Sequence, residues 1–283
     1  MKMGENMKFK IVADSSSNLL SFEGVPYETV SLKVITAQKE YVDNAELDVA
    51  AMVKDLRTVK GRTGTSCPNI YEWKCAMSEA DAVFALTITS NLSGSHAAAL
   101  QAKAELLEEH PEKKICVLDS LSTGPEMHLI IEKLSALIAT GKDFEAIECE
   151  IREYMTHTHL IFCLESLLNL ARNGRVNPVV AKVAGVLGIR IVGVASEKGT
   201  LELLYKPRGG EKALLSVLDV MKENGYKGGR VRLAHCNNEA GAARLAAKIR
   251  ALYPHAEIKI LPTTALCSFY AEEGGLMIGY EDI

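Results

Sequence analysis

Between Phe9 and about Met155 the chain repeats one pattern: a short apolar run, a turn dense in hydroxyl residues, and a helical stretch. Phe9–Ala13 leads into Asp14-Ser-Ser-Ser-Asn18, Ala82–Ile88 into Thr89–Ser95, and Ile115–Leu118 into Asp119-Ser-Leu-Ser-Thr-Gly124. Continuous apolar runs of this length suit strands buried on both faces, and helices between them mark a parallel sheet with crossover connections. Ser95–Glu109 is a helix stopped by Pro111, and Glu126–Thr140 a helix that runs to Gly141. Right-handed crossovers collect the loops along the carboxyl edge of such a sheet, where open α/β sheets hold ligands. A doubly wound, mostly parallel, Rossmann-like α/β domain is expected over residues 1–156.

The pattern changes near residue 157, and 283 residues suit two domains at about 150 each. Leu160–Cys163 is a strand, and Glu165–Ala171 and Pro178–Leu187 are short helices on either side of Arg172-Asn-Gly-Arg175. Two strands then follow in succession, Ile189–Ala195 and Thr200–Tyr205, at hairpin spacing that implies antiparallel pairing. Helices over Lys212–Lys222 and Ala240–Leu252 alternate with strands over Val231–His235, Glu257–Leu261 and Leu276–Tyr280. The expectation for 157–283 is a mixed, largely antiparallel α+β domain.

Composition narrows the function. Thirty-two basic residues against 36 acidic give a net charge of −4, so no broad positive field gathers nucleic acid. One tryptophan and 6% aromatics argue against a base-stacking platform. Seven cysteines without a Cys-x-x-Cys pair fit a reduced, cytoplasmic chain without stable membrane insertion. The apolar run near the start is too short for a signal-peptide core or a span, and Met7 is expected as the working start. No cofactor motif is present.

Four hydroxyl-rich loops are the candidates for chemistry. Asp14–Asn18 and Thr63-Gly-Thr-Ser-Cys-Pro68 read equally as helix N-caps, the second ahead of a helix whose first turn includes Pro68 and Glu72. Thr87–His96 precedes a long helix, so its N-terminal amides and the Ser93 and Ser95 hydroxyls suit a small anion, carboxylate or phosphate. It lacks the lysine of a nucleotide P-loop. Asp119–Gly124 forms no nucleophile elbow, although His128 lies eight residues beyond Ser120. His157-Thr-His159 could place two rings on one strand face, but the sequence shows no Cys or Asp companion, and no metal site is expected.

Taken in order, these segments resemble the DegV family of bacterial lipid-binding proteins over nearly the whole chain. The resemblance is carried by ADSSSNL (13–19), TSCPN (65–69), SNLSGSHAAA (90–99), VLDSLSTG (117–124), LLNLARNGRV (167–176) and YKPRGGEKAL (205–214). It implies one long-chain fatty acid with its tail inside the protein and its carboxylate held by Thr65, Ser66, Ser93 and Gly94. Near the end, Tyr270 stands where the family usually has a histidine, followed by Glu272 and Glu273, which would oppose a second negative charge unless turned to solvent. Arg175 and Arg208 match family arginines that could meet an acyl phosphate or dock a partner, and His96 flanks the anion-ready loop. The implied role is a non-enzymatic acyl carrier that presents its acid to a fatty acid kinase subunit. The competing expectation is an α/β enzyme acting on a small anion at Ser93, with His96 or His128 as base.

Overall fold

The computed structural model describes residues 7–179 and 188–283. The chain opens with β1 (Phe9–Asp14), β2 (Tyr27–Val30), β3 (Lys33–Thr36), β4 (Glu40–Val42), α1 (Val49–Leu56), β5 (Thr63–Ser66) and α2 (Ile70–Ser78). It continues through β6 (Ala82–Thr87), α3 (Ser95–Glu109), β7 (Lys114–Asp119), α4 (Pro125–Ala139), α5 (Phe144–Met155) and β8 (Thr158–Leu164). The remaining described elements are α6 (Leu168–Arg172), β9 (Ile191–Ala195), β10 (Leu201–Tyr205), α7 (Gly210–Glu223), β11 (Val231–His235), α8 (Glu239–Leu252), β12 (Ile258–Pro262), α9 (Ala265–Ala271) and β13 (Leu276–Glu281).

The first sheet is parallel throughout, in the order β2-β1-β6-β7. Its centre shows why the sequence reads as an unbroken apolar run: all six residues of β6 are buried. Phe84 and Leu86 pack with Ile130 of α4 and Ile147 of α5, while Val83 and Ala85 pack on the other face with Trp73 of α2 and Leu106 of α3. Helices therefore cover both faces, and the doubly wound arrangement is present. Its carboxyl-edge loops are bonded to one another, Gly124 N to Ser16 O at 2.7 Å and Thr89 N to Ser122 O at 2.9 Å.

The second sheet is mixed, in the order β10-β9-β8-β13-β11-β12, with only β11 and β12 parallel. On one face Ile161, Val192 and Ile278 pack with Val217 of α7 and Leu245 of α8. The opposite face presents Leu160, Phe162 and Met277 toward α9, α1 and β3. The β9–β10 hairpin forms as expected, and its turn meets the first sheet's loops, where Thr89 Oγ1 donates to Gly199 O at 2.9 Å. Gly199 has φ +72°, and a Cβ there would collide with Thr89.

Three local expectations change. Residues 27–66 hold β2 and a small antiparallel sheet, β4-β3-β5, whose strands are too short and polar for a periodicity to register. Thr63–Ser66 is a strand in it, not a cap loop, and Pro68 lies outside α2. The cap is Asn69, which accepts from Glu72 N at 2.9 Å while Glu72 accepts from Asn69 N at 2.7 Å. The helix expected from Glu165 starts at Leu168, because Ser166 Oγ takes the Leu168 N–H in a turn. The helix expected over Pro178–Leu187 lies outside the described residues beyond Val179.

Helix α4 joins the two sheets. Pro125 to Ile131 are all buried, as befits a helix with apolar neighbours all round. One side fills the first sheet's core, and the other crosses β13, where Gly279 is needed because a Cβ would strike the backbone of Pro125 and Glu126. Charge completes the joint: Glu132 accepts from Arg232 Nε at 3.1 Å and from Lys259 Nζ at 2.9 Å, and Arg232 is only 1% exposed. Burial raises the Glu132 carboxyl, but hydrogen bonds from His128, Arg232 and Lys259 outweigh it and hold the group well below the usual carboxylate range. Its contribution to stability is therefore complete above the ordinary glutamate range and is lost only as pH falls through the depressed value. Arg232→Met, which leaves Glu132 buried with fewer partners, is expected to lower unfolding free energy by about 3–5 kcal/mol at pH 7. Urea denaturation checks this; a loss below about 1 kcal/mol would show that the network does not clamp α4.

Candidate functional site

Where the first sheet's loops face the second sheet lies a cavity of about 270 Å³. Its apolar wall is built by alternation: Leu160, Phe162 and Leu164 are every second residue of β8, and they share one sheet face. Met277 of β13, Leu201 of β10 and Leu266 of α9 extend that wall. The polar wall is short. It consists of Thr65 and Ser66 at the end of β5, the Ser93-Gly94 turn before α3, Thr123, Arg175 and Tyr270.

Local contacts aim these groups. Thr65 Oγ1 and Tyr270 Oη are 2.8 Å apart, so one hydroxyl donates to the other and a single O–H of the pair remains for a ligand. Ser93 Oγ accepts from Ser95 N at 3.2 Å, which occupies a lone pair and leaves its proton to donate. Gly94 approaches Cys67 so closely that a Cβ would lie 3.3 Å from its sulfur. Arg175 Nε donates to Leu92 O at 3.2 Å and Arg175 also bonds the Asn173 carbonyl, which ties α6 to the Ser93 turn. Hydroxyl donors beside apolar walls can replace the water of one carboxylate while leaving a hydrocarbon chain dry.

The helix that carries Tyr270 is held from the opposite half of the sequence. Asp43 accepts from Ala265 N at 2.8 Å and Leu266 N at 3.1 Å, the free amides at the start of α9. Asn18, in the left-handed region at φ 60°, accepts from Thr264 N at 2.6 Å and donates to Pro262 O at 3.0 Å. The serine loop after β1 thus serves mainly as a lock. Ser15, Ser16 and Ser17 are all buried in a 3-10 turn, and Asp14 at its head is fully buried. Asp14 accepts from Ile88 N at 2.9 Å, from Ser95 Oγ at 2.7 Å and from Ser16. Burial pushes its carboxyl up to about 6 against those three hydrogen bonds.

Six of the eight residues singled out from sequence and resemblance, Thr65, Ser66, Ser93, Gly94, Tyr270 and Arg175, line the cavity. His96 and Arg208 do not. His96 Nδ1 turns to Thr87 Oγ1 at 3.1 Å, and Arg208 lies at the edge of the second sheet in a bridge with Ile189. His128 is buried 3.3 Å from Glu132 on the far side of α4, and Ser120 Oγ donates to Ser122 O at 2.9 Å. Neither candidate base reaches Ser93, so a hydrolytic site at that turn has no histidine among the cavity-lining residues. The pair His157 and His159 does have an acidic companion after all: Asp282 bonds both rings, at 2.9 and 2.8 Å, from 123 or more residues away in sequence. Among the described residues no group of His, Cys, Asp and Glu could hold a metal ion, and no helix is long and apolar enough to cross a membrane.

Comparison with known proteins accords with this architecture. The sequence profile of the DegV family, described as uncharacterised proteins, matches residues 8–282. The chain belongs to the DegV family. A DegV domain-containing protein of Streptococcus pneumoniae strain R6 is 43% identical over 279 residues, 97% of this chain and 99% of its own. A crystal structure of a DegV family protein from Eubacterium eligens loaded with heptadecanoic acid superposes with a TM-score of 0.95 at 41% identity, covering 97% of this chain and 100% of that one. The Fatty Acid Kinase (Fak) B3 protein of Streptococcus pneumoniae loaded with linoleic acid gives a TM-score of 0.96 at 42% identity, covering 98% and 100%.

Two features of this DegV chain were not legible beforehand. Glu272 and Glu273 face away from the Thr65–Tyr270 pair: Glu272 accepts from Ser166 Oγ at 2.9 Å and Asn169 N at 3.0 Å, and Glu273 pairs with Arg57. They brace α6 and α1 instead of opposing charge at the mouth. Cys67 and Cys267 also line the cavity; burial, with the nearby Asp43 charge, pushes the Cys267 thiol far up, so it packs as a neutral group. Because Asp43 carries α9, Asp43→Ala is expected to cost about 1–3 kcal/mol, and Asp43→Asn, with one acceptor oxygen left, to recover part of that loss. Chemical denaturation of the three proteins decides it; equal stability would show that α9 is held by packing alone.

Proposed function

We propose that this DegV protein binds one long-chain fatty acid, its tail along the Leu160–Phe162–Leu164 wall and its carboxylate at Thr65, Ser66, Ser93, Gly94 and Tyr270. The observation that carries the reading is the pairing of a leucine-lined cavity with hydroxyl donors that have no cation beyond Arg175 among them. The fatty acids held by the Eubacterium eligens and Streptococcus pneumoniae relatives support the same ligand class. A tail of about 15 methylenes at about 0.8 kcal/mol each gives an upper limit near 12 kcal/mol before ordering costs. Affinity then rests on the tail, and the hydroxyls make the carboxylate tolerable.

The protein catalyses nothing itself in this reading. It acts as a carrier that exposes its carboxylate to a fatty acid kinase, a role supported by the likeness to the Fak B3 protein. Arg175, at the polar wall, and Arg208, at the edge of the second sheet, are the cations available to a phosphorylated head group or a docking partner. Residues 1–156 form the domain that supplies the hydroxyl loops, and 157–283 the domain that supplies most of the tail wall.

Protein purified without detergent and then denatured is expected to release fatty acid in near-equimolar amount by mass spectrometry. Thr65→Ala with Ser93→Ala is expected to weaken binding of a saturated fatty acid by about ten- to a hundredfold, since each hydrogen bond to a charged group contributes about 1.5–3 kcal/mol and water replaces part of it. Delipidated wild-type protein that takes up no fatty acid on titration would overturn the reading. An unchanged affinity in the double variant would remove those hydroxyls from the site.

A further inference from the structure

Beneath the polar wall lies a carboxylate that does not itself line the cavity. Asp14 is fully buried, and among the described residues no lysine or arginine pairs with it. It holds both ends of one loop: Oδ2 takes the Ile88 amide at 2.9 Å and the Ser95 hydroxyl at 2.7 Å. Between those two anchors the loop presents Ile88, Leu92, Ser93 and Gly94 to the cavity. Ser95 then passes the constraint on, because its amide donates to Ser93 Oγ at 3.2 Å. One residue, Ser95, therefore touches the buried carboxylate with its side chain and the head-group hydroxyl with its backbone.

We infer that Asp14 positions the Ser93 hydroxyl and takes up a proton when an anionic head group enters the cavity, so that ligand binding and Asp14 protonation are coupled. The inference rests on the fatty-acid reading. Its physical basis is repulsion in a water-poor region. A ligand carboxylate at Ser93 and an ionised Asp14 would share one hydroxyl-lined loop whose neighbouring cavity-lining cation, Arg175, is tied to the Leu92 and Asn173 carbonyls, and like charges so placed cannot both ionise freely. The reach of the Asp14 charge to the cavity wall is already felt at Cys267, a lining thiol whose ionisation Asp14 opposes.

Other groups around Asp14 leave it as the proton acceptor. Tyr27 on β2, raised by burial, stays neutral, and Cys267 on α9 is likewise neutral. Asp43, across the 3-10 turn, is also raised by burial, but it faces the Ala265 and Leu266 amides of α9 and makes no bond to the Ser93 loop. His96, beside Ser95 on α3, is turned to Thr87. Burial, working against its hydrogen bonds, already holds Asp14 at about 6, within reach of neutral pH, so a modest added repulsion suffices. Its protonated form keeps an acceptor oxygen for the Ile88 amide, and its own O–H can turn to Ser16 or Ser95, whose hydroxyls both donate and accept.

The test is calorimetric titration of wild-type protein with dodecanoate below its micelle concentration, in buffers of different ionisation enthalpy, across about pH 6.5–8.5, where the free ligand is ionised. The expected result is a binding enthalpy that depends on the buffer and reports proton uptake. Affinity should rise by roughly 3- to 20-fold as pH falls through that window, the range produced when Asp14 holds its proton ten- to a hundredfold more tightly in the complex. Dodecanol, with a neutral head, should show neither effect, and Asp14→Asn should bind dodecanoate with a flat pH profile. Buffer-independent binding of dodecanoate, or the same pH slope in D14N as in wild type, overturns the coupling while leaving the fatty-acid reading standing. Failure of both dodecanoate and dodecanol to bind overturns both. If D14N does not fold, the carboxyl carbon-13 NMR shift of labelled dodecanoate bound to the wild-type protein decides: an ionised ligand carboxylate alongside proton uptake supports Asp14 as the acceptor, and a protonated ligand overturns it.

Discussion

The position of α4 between the two sheets is the constraint on which the cavity depends. A helix buried on both sides can exist only where each neighbour leaves room for it, and on β13 the room comes from one absent side chain, at Gly279. Its first turn and its middle are then fixed by hydroxyl and charge: Glu126 accepts from Thr158 Oγ1 at 2.8 Å, and Glu132 gathers Arg232 and Lys259. Breaking such a buried network is costly because one charge is left without partners. The first sheet's loops and the second sheet's inner face are thereby held at a set separation. A cavity between them follows from that separation, not from any one lining residue.

Polar contacts across the seam explain why the hydroxyl-rich loops are so dense. Asn18 and Asp43 reach α9, and Thr89 reaches the β9–β10 turn. Each satisfies backbone groups that burial would otherwise leave unpaired. Only a minority of the serines and threonines remain for a ligand. The same residue types do two jobs because a short hydroxyl can meet either a buried amide or a carboxylate without the desolvation cost of a full charge.

That division was only partly legible in the sequence. β1, β6 and β7 were readable because double burial forces an unbroken apolar run, and α3 and α4 because proline and glycine bound them. β3, β4 and β5 were not, since three or four residues carry no period, and the sheet they form is anchored through β3, which packs against α9. Thr65, Ser66, Ser93 and Gly94 could be found from loop chemistry, whereas Tyr270 entered only through the family resemblance. The roles of Asp14 and Asp43 stayed hidden for a different reason. Asp14 looks like an ordinary cap, and the amides that Asp43 serves are more than 200 residues away. His96 does not line the cavity, because neighbourhood in sequence says nothing about which side of a helix turn a ring faces; here it faces Thr87.

The apolar wall also bears on stability. With the cavity empty, its leucine-rich wall either forfeits packing contacts or faces weakly held water, and both cost stability. A chain that keeps such a void must either hold the surrounding scaffold unusually firmly or spend little time without an occupant. The α4 clamp supplies the first condition, because it fixes the wall separation against collapse. The second follows from mass action, since an occupant that binds only the folded form stabilises it in proportion to its own affinity. An occupant of this cavity is then packing material for the fold, and its departure would return part of that cost.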